Sequence, residues 1–181
     1  MSALIVVSGP PCAGKSTLAN RLREELGWPL LAKDSIKELL FDSVGWHDRA
    51  WSRKLSEASY AVLFNVAAEL LRAGQRCVIE GNFRWRDTAG RFGSLLRPEL
   101  RVVQICCTAP LAVLSARLHS RIAAGQRHPG HLDAATAQEI EGELARFNQP
   151  LPIAGPQLVF DSTQPERMAM DKVLEAVRAL L

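Results

Sequence analysis

Near its start the chain runs from the apolar stretch Leu4-Ile5-Val6-Val7 straight into Gly9-Pro10-Pro11-Cys12-Ala13-Gly14-Lys15-Ser16. Two glycines, four free positions and Lys-Ser make the Walker A spacing, and no other feature constrains the fold as tightly. The loop must wrap a polyphosphate with backbone N–H groups, so a side chain at Gly9 or Gly14 would block the close approach or strain the turn. Lys15 is expected to reach the β and γ phosphates, and Ser16 to offer its hydroxyl to Mg²⁺. Residues 17–26, ending at Gly27, read as a helix whose positive end points at the phosphates. Strand, loop and helix therefore stand in the order a buried parallel sheet requires.

At 181 residues the chain is expected to form a single domain, 1–181, with a core that needs neither disulfides nor structural metal. Its apolar runs are interrupted by charge well short of the roughly 20 residues of a membrane span. The N-terminus carries no basic residue and leads directly into the loop, so no signal peptide is expected and a cytoplasmic location follows as the default. The four cysteines form neither a CxxC pair nor a zinc spacing. Cys12 lies beside Lys15 and a helix N-terminus, both of which favour thiolate, so a redox switch there is an open expectation. A net charge of +3 suits an anionic substrate without demanding nucleic acid.

Five short apolar stretches, 4–7, 29–32, 76–79, 101–106 and 157–160, alternate with helical patterns. This alternation predicts parallel strands joined by right-handed crossovers, with helices on both faces. Helices are expected over 51–71, from about 110 to 123, over 133–147, and from near Pro165 to the end of the chain. No repeat, low-complexity tract or linker divides this pattern.

Ligands of open parallel sheets bind beyond the carboxyl ends of the strands, which gives weight to Lys33-Asp34-Ser35, Glu80-Gly81-Asn82-Phe83, Thr108-Ala109-Pro110 and Asp161-Ser162-Thr163. Asp34 is expected to orient and deprotonate an acceptor hydroxyl, and it is also well placed to cap the helix that follows. Glu80 ends an apolar strand where a carboxylate can hold Mg²⁺ or its water. Arg117 and Arg121 stand four apart, so on a helix they share a face and are expected to converge on one anion, with Arg127 nearby. Pro129-Gly130 marks a turn consistent with a mobile flap. Trp46, Asn82, Phe83 and Arg84 are expected beside the acceptor, where aromatic and basic groups can stack on a ring.

Lys33-Asp34-Ser35-Ile36-Lys37-Glu38-Leu39-Leu40, Val78-Ile79-Glu80-Gly81-Asn82-Phe83 and the lid stretch from Ala116 through Arg121 and Arg127 to His131 resemble the small ATP-dependent P-loop kinases of the AAA_33 or zeta-toxin-like group. That group is similar to the kinase part of polynucleotide kinase and to chloramphenicol phosphotransferase. The resemblance implies an α/β three-layer sandwich with a five-stranded parallel sheet of order 2-3-1-4-5 and a helical lid. It implies a phosphate grip from Gly9, Pro10, Pro11, Cys12, Ala13, Gly14, Lys15, Ser16 and Thr17, with Arg117 beside the nucleotide. Catalysis would fall to Lys15, Asp34, Arg117 and Arg121, acceptor binding to Asp34, Lys37, Trp46, Asn82, Phe83, Arg84 and Arg127, and Mg²⁺ to Ser16 and Glu80. The implied reaction moves the γ-phosphoryl group of ATP to a hydroxyl of a small molecule. A polynucleotide 5′-hydroxyl kinase is the alternative, against which stand the dispersed arginines and Lys37 where that group has arginine. A nucleotide-dependent switch without an acceptor is a third reading. Acceptor identity, purine preference, protein partners and oligomeric state are open.

Overall fold

A computed structural model describes residues 2–83, 90–163 and 167–181. The elements follow the order β1 (Ala3–Ser8), α1 (Lys15–Leu26), β2 (Leu30–Ala32), α2 (Lys33–Val44), α3 (Arg49–Arg72), β3 (Arg76–Glu80), β4 (Arg101–Thr108), α4 (Leu111–Ala123), a 3-10 turn (Pro129–His131), α5 (Ala137–Phe147), β5 (Gln157–Asp161) and α6 (Arg167–Leu180). The strands form one all-parallel sheet of order β2-β3-β1-β4-β5, as expected. No described helix is long and apolar enough to cross a membrane.

The central strand shows why the sheet is covered on both faces. Successive side chains of a strand point to opposite sides. Ile5 and Val7 join Leu18, Leu22, Ile105, Leu114 and Val177 in one core, while Leu4 and Val6 join Leu63, Phe64, Ile79 and Phe92 in the other. Every residue of β1 is buried, which is why this strand reads as a continuous apolar run rather than an alternating one.

Two helix starts differ from the expected ones, each because of where an aspartate side chain is used. Asp48 accepts from the Trp51 N–H at 2.8 Å, so α3 begins at Arg49. The helix expected from residue 133 begins at Ala137, because Asp133 accepts from two arginines instead. The start expected at Pro165 lies outside the described residues.

Gln104 sits inside this apolar frame, 1% exposed on β4. Its amide donates to the carbonyls of Leu151 and Ile153 and its oxygen accepts from the Leu151 N–H at 3.0 Å, tying the loop before β5 to the sheet. The Leu151 carbonyl also accepts from Ile153 N–H, so removing the amide orphans chiefly the Leu151 N–H and the Ile153 carbonyl. Gln104→Leu is therefore expected to cost about 2–4 kcal/mol in denaturant unfolding. A loss below about 1 kcal/mol would show that the loop finds other partners.

Candidate active site

The register of the sheet sets out the site. Ala32, Glu80 and Val7 pair in one row across β2, β3 and β1, so three chain segments leave the sheet side by side. Neighbouring strands lie about 4.8 Å apart, which puts α2 and the phosphate loop within about 10 Å of each other with Glu80 between them.

In the loop, Gly9 has φ 135° and a Cβ there would lie 2.2 Å from the Cys107 carbonyl oxygen, so only glycine fits against β4. Gly14 has φ 76° and opens α1. Lys15 is 7% exposed and folds back to donate to the Pro10 carbonyl at 2.8 Å. Burial pushes its ammonium down, with Glu80 opposing, and pushes the buried Glu80 carboxyl up, with Lys15 opposing. The Ser16 hydroxyl lies 3.4 Å from Glu80 Oε2. A hydroxyl and a carboxylate this close form a hard oxygen pair suited to Mg²⁺, completed by phosphate oxygens and water. Among the described residues no group of three His, Cys, Asp or Glu forms a metal site on its own. Cys12 adopts φ 66°, and burial raises its thiol despite Arg121, Lys15 and Arg127, so the expected thiolate character is not found.

Asp34 does not cap α2. The helix begins at Lys33 with no side-chain cap, leaving Asp34 in its first turn. Its carboxylate accepts from Lys33 Nζ at 3.0 Å and pairs with Arg127. Burial works to raise it, but Arg127 and Lys33 together hold it well below the usual carboxylate range. Arg127 also donates to Asp133 Oδ1 at 3.0 Å, and Arg121 donates to Asp133 Oδ2 at 2.8 Å. Asp133 thus joins both lid arginines, and sequence reasoning missed it because nothing local marks a carboxylate as a bridge. Among the described residues, Arg121 Nε is buried without a hydrogen-bond partner.

The expected convergence of Arg117 with Arg121 is not observed. Arg117 donates to the carbonyls of Cys12, Ser162 and Thr163 and to Ser162 Oγ at 3.1 Å, clipping the loop after β5 onto the phosphate loop. The two arginines leave the same helix face, Arg117 for the carbonyls of Cys12, Ser162 and Thr163 and Arg121 for Asp133.

The turn expected to be a mobile flap is seated on α2. A Cβ on Gly130 would lie 2.8 Å from the Phe41 ring, and its carbonyl accepts from Ser52 Oγ at 3.0 Å. His128 stacks on Phe41 and its Nε2 lies 3.2 Å from Asp42 Oδ1. His131, 5% exposed, lies 2.9 Å from Glu38 Oε1 through Nε2, and burial with nearby Arg127 pushes its imidazole down to about 2. Neutral His131 therefore carries its proton on Nε2, the nitrogen that faces a group able only to accept.

Beside these groups lies a cleft of about 470 Å³ between α2, α3 and α5. Its walls include Pro11, Asp34, Lys37, Asn82, Phe83, Arg121, Arg127 and Asp133. The Asn82 carbonyl accepts from Tyr60 at 2.7 Å, and Phe83 packs among Tyr60, Phe64 and Phe92. Trp46 is not in the wall: 43% exposed, it meets the edge of His128 instead. Arg84 lies outside the described residues. Arg53 lines the cleft, and so do Arg49 and Glu139, which no sequence motif singled out.

The AAA_33 family, described as an AAA domain, matches residues 4–150. The chain is similar to a protein of Chloroflexus aurantiacus provisionally named a kinase, with 41% identity, a TM-score of 0.91, and 99% and 98% of the two chains covered. A sugar kinase from Janibacter sp. HTCC2649 shares the fold at 17% identity and TM-score 0.64, covering 98% of this chain and 95% of that one. A gluconokinase from Sinorhizobium meliloti 1021 does so at 15% and 0.55, covering 97% and 95%. No curated protein matches the chain at a significant level of similarity. The fold is that of the P-loop kinases.

His131 gives this site a pH dependence of definite sign. Its pKa falls from 6.5 to about 2 on folding, so below pH 6.5 the unfolded chain takes up a proton that the folded one refuses. Stability present above 6.5 is lost as pH falls. Between about pH 7.5 and 5.5 the wild type should lose about 1.4 kcal/mol more than His131→Gln in urea unfolding. Parallel losses would show that His131 titrates freely in the fold.

Proposed function

The chain belongs to the AAA_33 family, and from that premise we propose that it is a Mg²⁺- and ATP-dependent kinase that transfers the γ-phosphoryl group to a hydroxyl of a small molecule. One observation carries the reading. Asp34 and Arg127, 93 residues apart, meet in an ion pair at a cleft whose wall reaches Pro11 of the phosphate loop. An acceptor-side carboxylate, a lid cation and a phosphate cradle thereby share one space, which is the set that phosphoryl transfer requires.

Lys15 lies buried in the cradle, poised to exchange the Pro10 carbonyl for phosphate oxygens. The unpartnered Nε of Arg121 fits the same use, since a buried donor without an acceptor is satisfied by an incoming anion. Ser16 and Glu80 would hold Mg²⁺, which when bound supplies positive charge to the phosphates. Asp34 stays ionised and accepts the hydrogen bond of the acceptor hydroxyl, fixing its direction of attack. Arg127 suppresses its basicity in the paired state, so a hydroxyl proton reaches Asp34 only as Arg127 turns to the migrating group. Such late proton transfer suits a loose transition state, where positioning and charge do most of the work. A cleft of about 470 Å³ is in the size range of small-molecule sites, which favours a small acceptor over a nucleic-acid end.

The test is ATP consumption across sugars, nucleosides, hydroxylated antibiotics and a 5′-hydroxyl oligonucleotide. Lys15→Ala should lose turnover by about 100-fold or more. Asp34→Asn should keep ATP binding while cutting acceptor phosphorylation by about 100-fold. Acceptor phosphorylation left intact in Asp34→Asn would overturn the assignment of that residue.

A further inference from the structure

We propose that Asp133 is a positioning residue for phosphoryl transfer: it holds one nitrogen of each lid arginine, Arg121 and Arg127, and so aims the remaining nitrogens of both at the migrating group. The proposal rests on the kinase reading and adds the residue that sets its lid cations.

The bonding divides each guanidinium in the same way. Arg127 donates from Nη1 to Asp133 Oδ1 and Oδ2, at 3.0 and 3.3 Å, and from Nη2 to Asp34. Arg121 donates from Nη2 to Asp133 Oδ2 at 2.8 Å, while its buried Nε has no hydrogen-bond partner among the described residues. Each arginine thus has one nitrogen fixed on Asp133 and another that is exchangeable or unused. When Arg127 leaves Asp34 for a phosphate oxygen, Nη1 stays on Asp133 and the guanidinium turns about that contact, so its flexible stem is not freed and ordered again. Both arginines stand beside the phosphate loop: the Cys12 thiol, raised by burial, is opposed first by Arg121, then by Lys15 and Arg127.

The carboxylate is itself firmly mounted. Leu132 before it takes φ 59°, a left-handed turn uncommon outside glycine, and donates its N–H to the Pro129 carbonyl at 2.9 Å. On the other side Thr136 donates its N–H to the Asp133 carbonyl at 3.2 Å and its hydroxyl to the Leu132 carbonyl at 2.9 Å. The Asp133 side chain is 11% exposed in the cleft wall, so water screens its two ion pairs little. Its charge also keeps the two cations together. Without it they would repel, and Arg127 would be free to close both nitrogens on Asp34 as a forked pair. That fork would occupy the carboxylate that the acceptor hydroxyl needs.

The experiment measures ATP turnover with Mg²⁺, using the acceptor that stimulates the wild type most, or water where none does, alongside calorimetric binding of a non-hydrolysable ATP analogue. Asp133→Asn keeps the shape and removes the charge, and should lower kcat about 10- to 100-fold, as loss of an orienting partner does. Analogue affinity should stay within about threefold of the wild type, because the phosphate loop holds the ground state. Arg127→Gln added to Asp133→Asn should cost less than the product of the two single losses, since both remove one pivot. Asp133→Ala is a second variant that does not depend on how Asp133→Asn folds: formate should restore its turnover at least about tenfold where chloride does not, a response that a merely structural tie would not give. Unchanged turnover in Asp133→Asn, analogue affinity lost in step with turnover, fully multiplicative losses, or no response to formate overturns the proposal. Hydrolysis to water charges the same arginines, which separates the two readings. Hydrolysis that falls in Asp133→Asn with transfer to no acceptor sinks the kinase reading and keeps the pivot, whereas transfer untouched in Asp133→Asn does the reverse.

Discussion

Everything in this site depends on one row of parallel pairing, Ala32 to Glu80 to Val7, at the carboxyl edge of the sheet. Parallel strands all deliver their chain to the same edge, so the residues that follow them become neighbours whatever their separation in sequence. Asp34 follows two positions after this row on β2, Glu80 is the row on β3, and Gly9 follows two positions after it on β1. The buried apolar strands hold that spacing, because a slip of one residue on β1 would exchange Leu4 and Val6 with Ile5 and Val7 between the two cores.

The charges at this edge are shared among several partners rather than paired one to one. Lys15 and Glu80 are both buried, and burial shifts each towards neutrality while their mutual attraction resists it. Arg127 is divided between Asp34 and Asp133. Such partners exchange readily, since giving up half of a shared pair costs less than breaking an exclusive one. A fully matched network would be more stable and less able to admit a polyphosphate.

The fold and the phosphate loop were legible because their signals are local: the glycines of positive φ at Gly9 and Gly14 stand at a fixed spacing, and an apolar run announces a buried strand. The position of Asp34 in the cleft wall was legible through topology. What failed required knowledge of a partner distant in sequence. Arg117 and Arg121 share a helix face, but the loop after β5 offers carbonyls to the first and Asp133 takes the second. Trp46 has the chemistry of a stacking residue, yet the loop after α2 presents it to His128 outside the cleft. Glu139 and Arg49 lie 90 residues apart, and neither belongs to a motif.

One pattern was present in the sequence and becomes meaningful only in the fold. Asp34, Glu38 and Asp42 recur every four residues, which on α2 makes a single acidic stripe with Phe41 beside it. That stripe receives the return segment of the lid residue by residue: Arg127 on Asp34, His131 on Glu38, His128 on Asp42, and Gly130 against Phe41. Glycine is required at that last contact because the ring leaves no room for a Cβ. Asp34, a wall residue of the cleft, is thus the first member of the surface that seats the lid. Placing the lid and setting the charge around Asp34 are consequently one event, so any displacement of Arg127 towards a phosphate must also loosen the turn from α2. The cleft wall, through Lys37, Ser52 and the Gly130 carbonyl, is tied to the same turn.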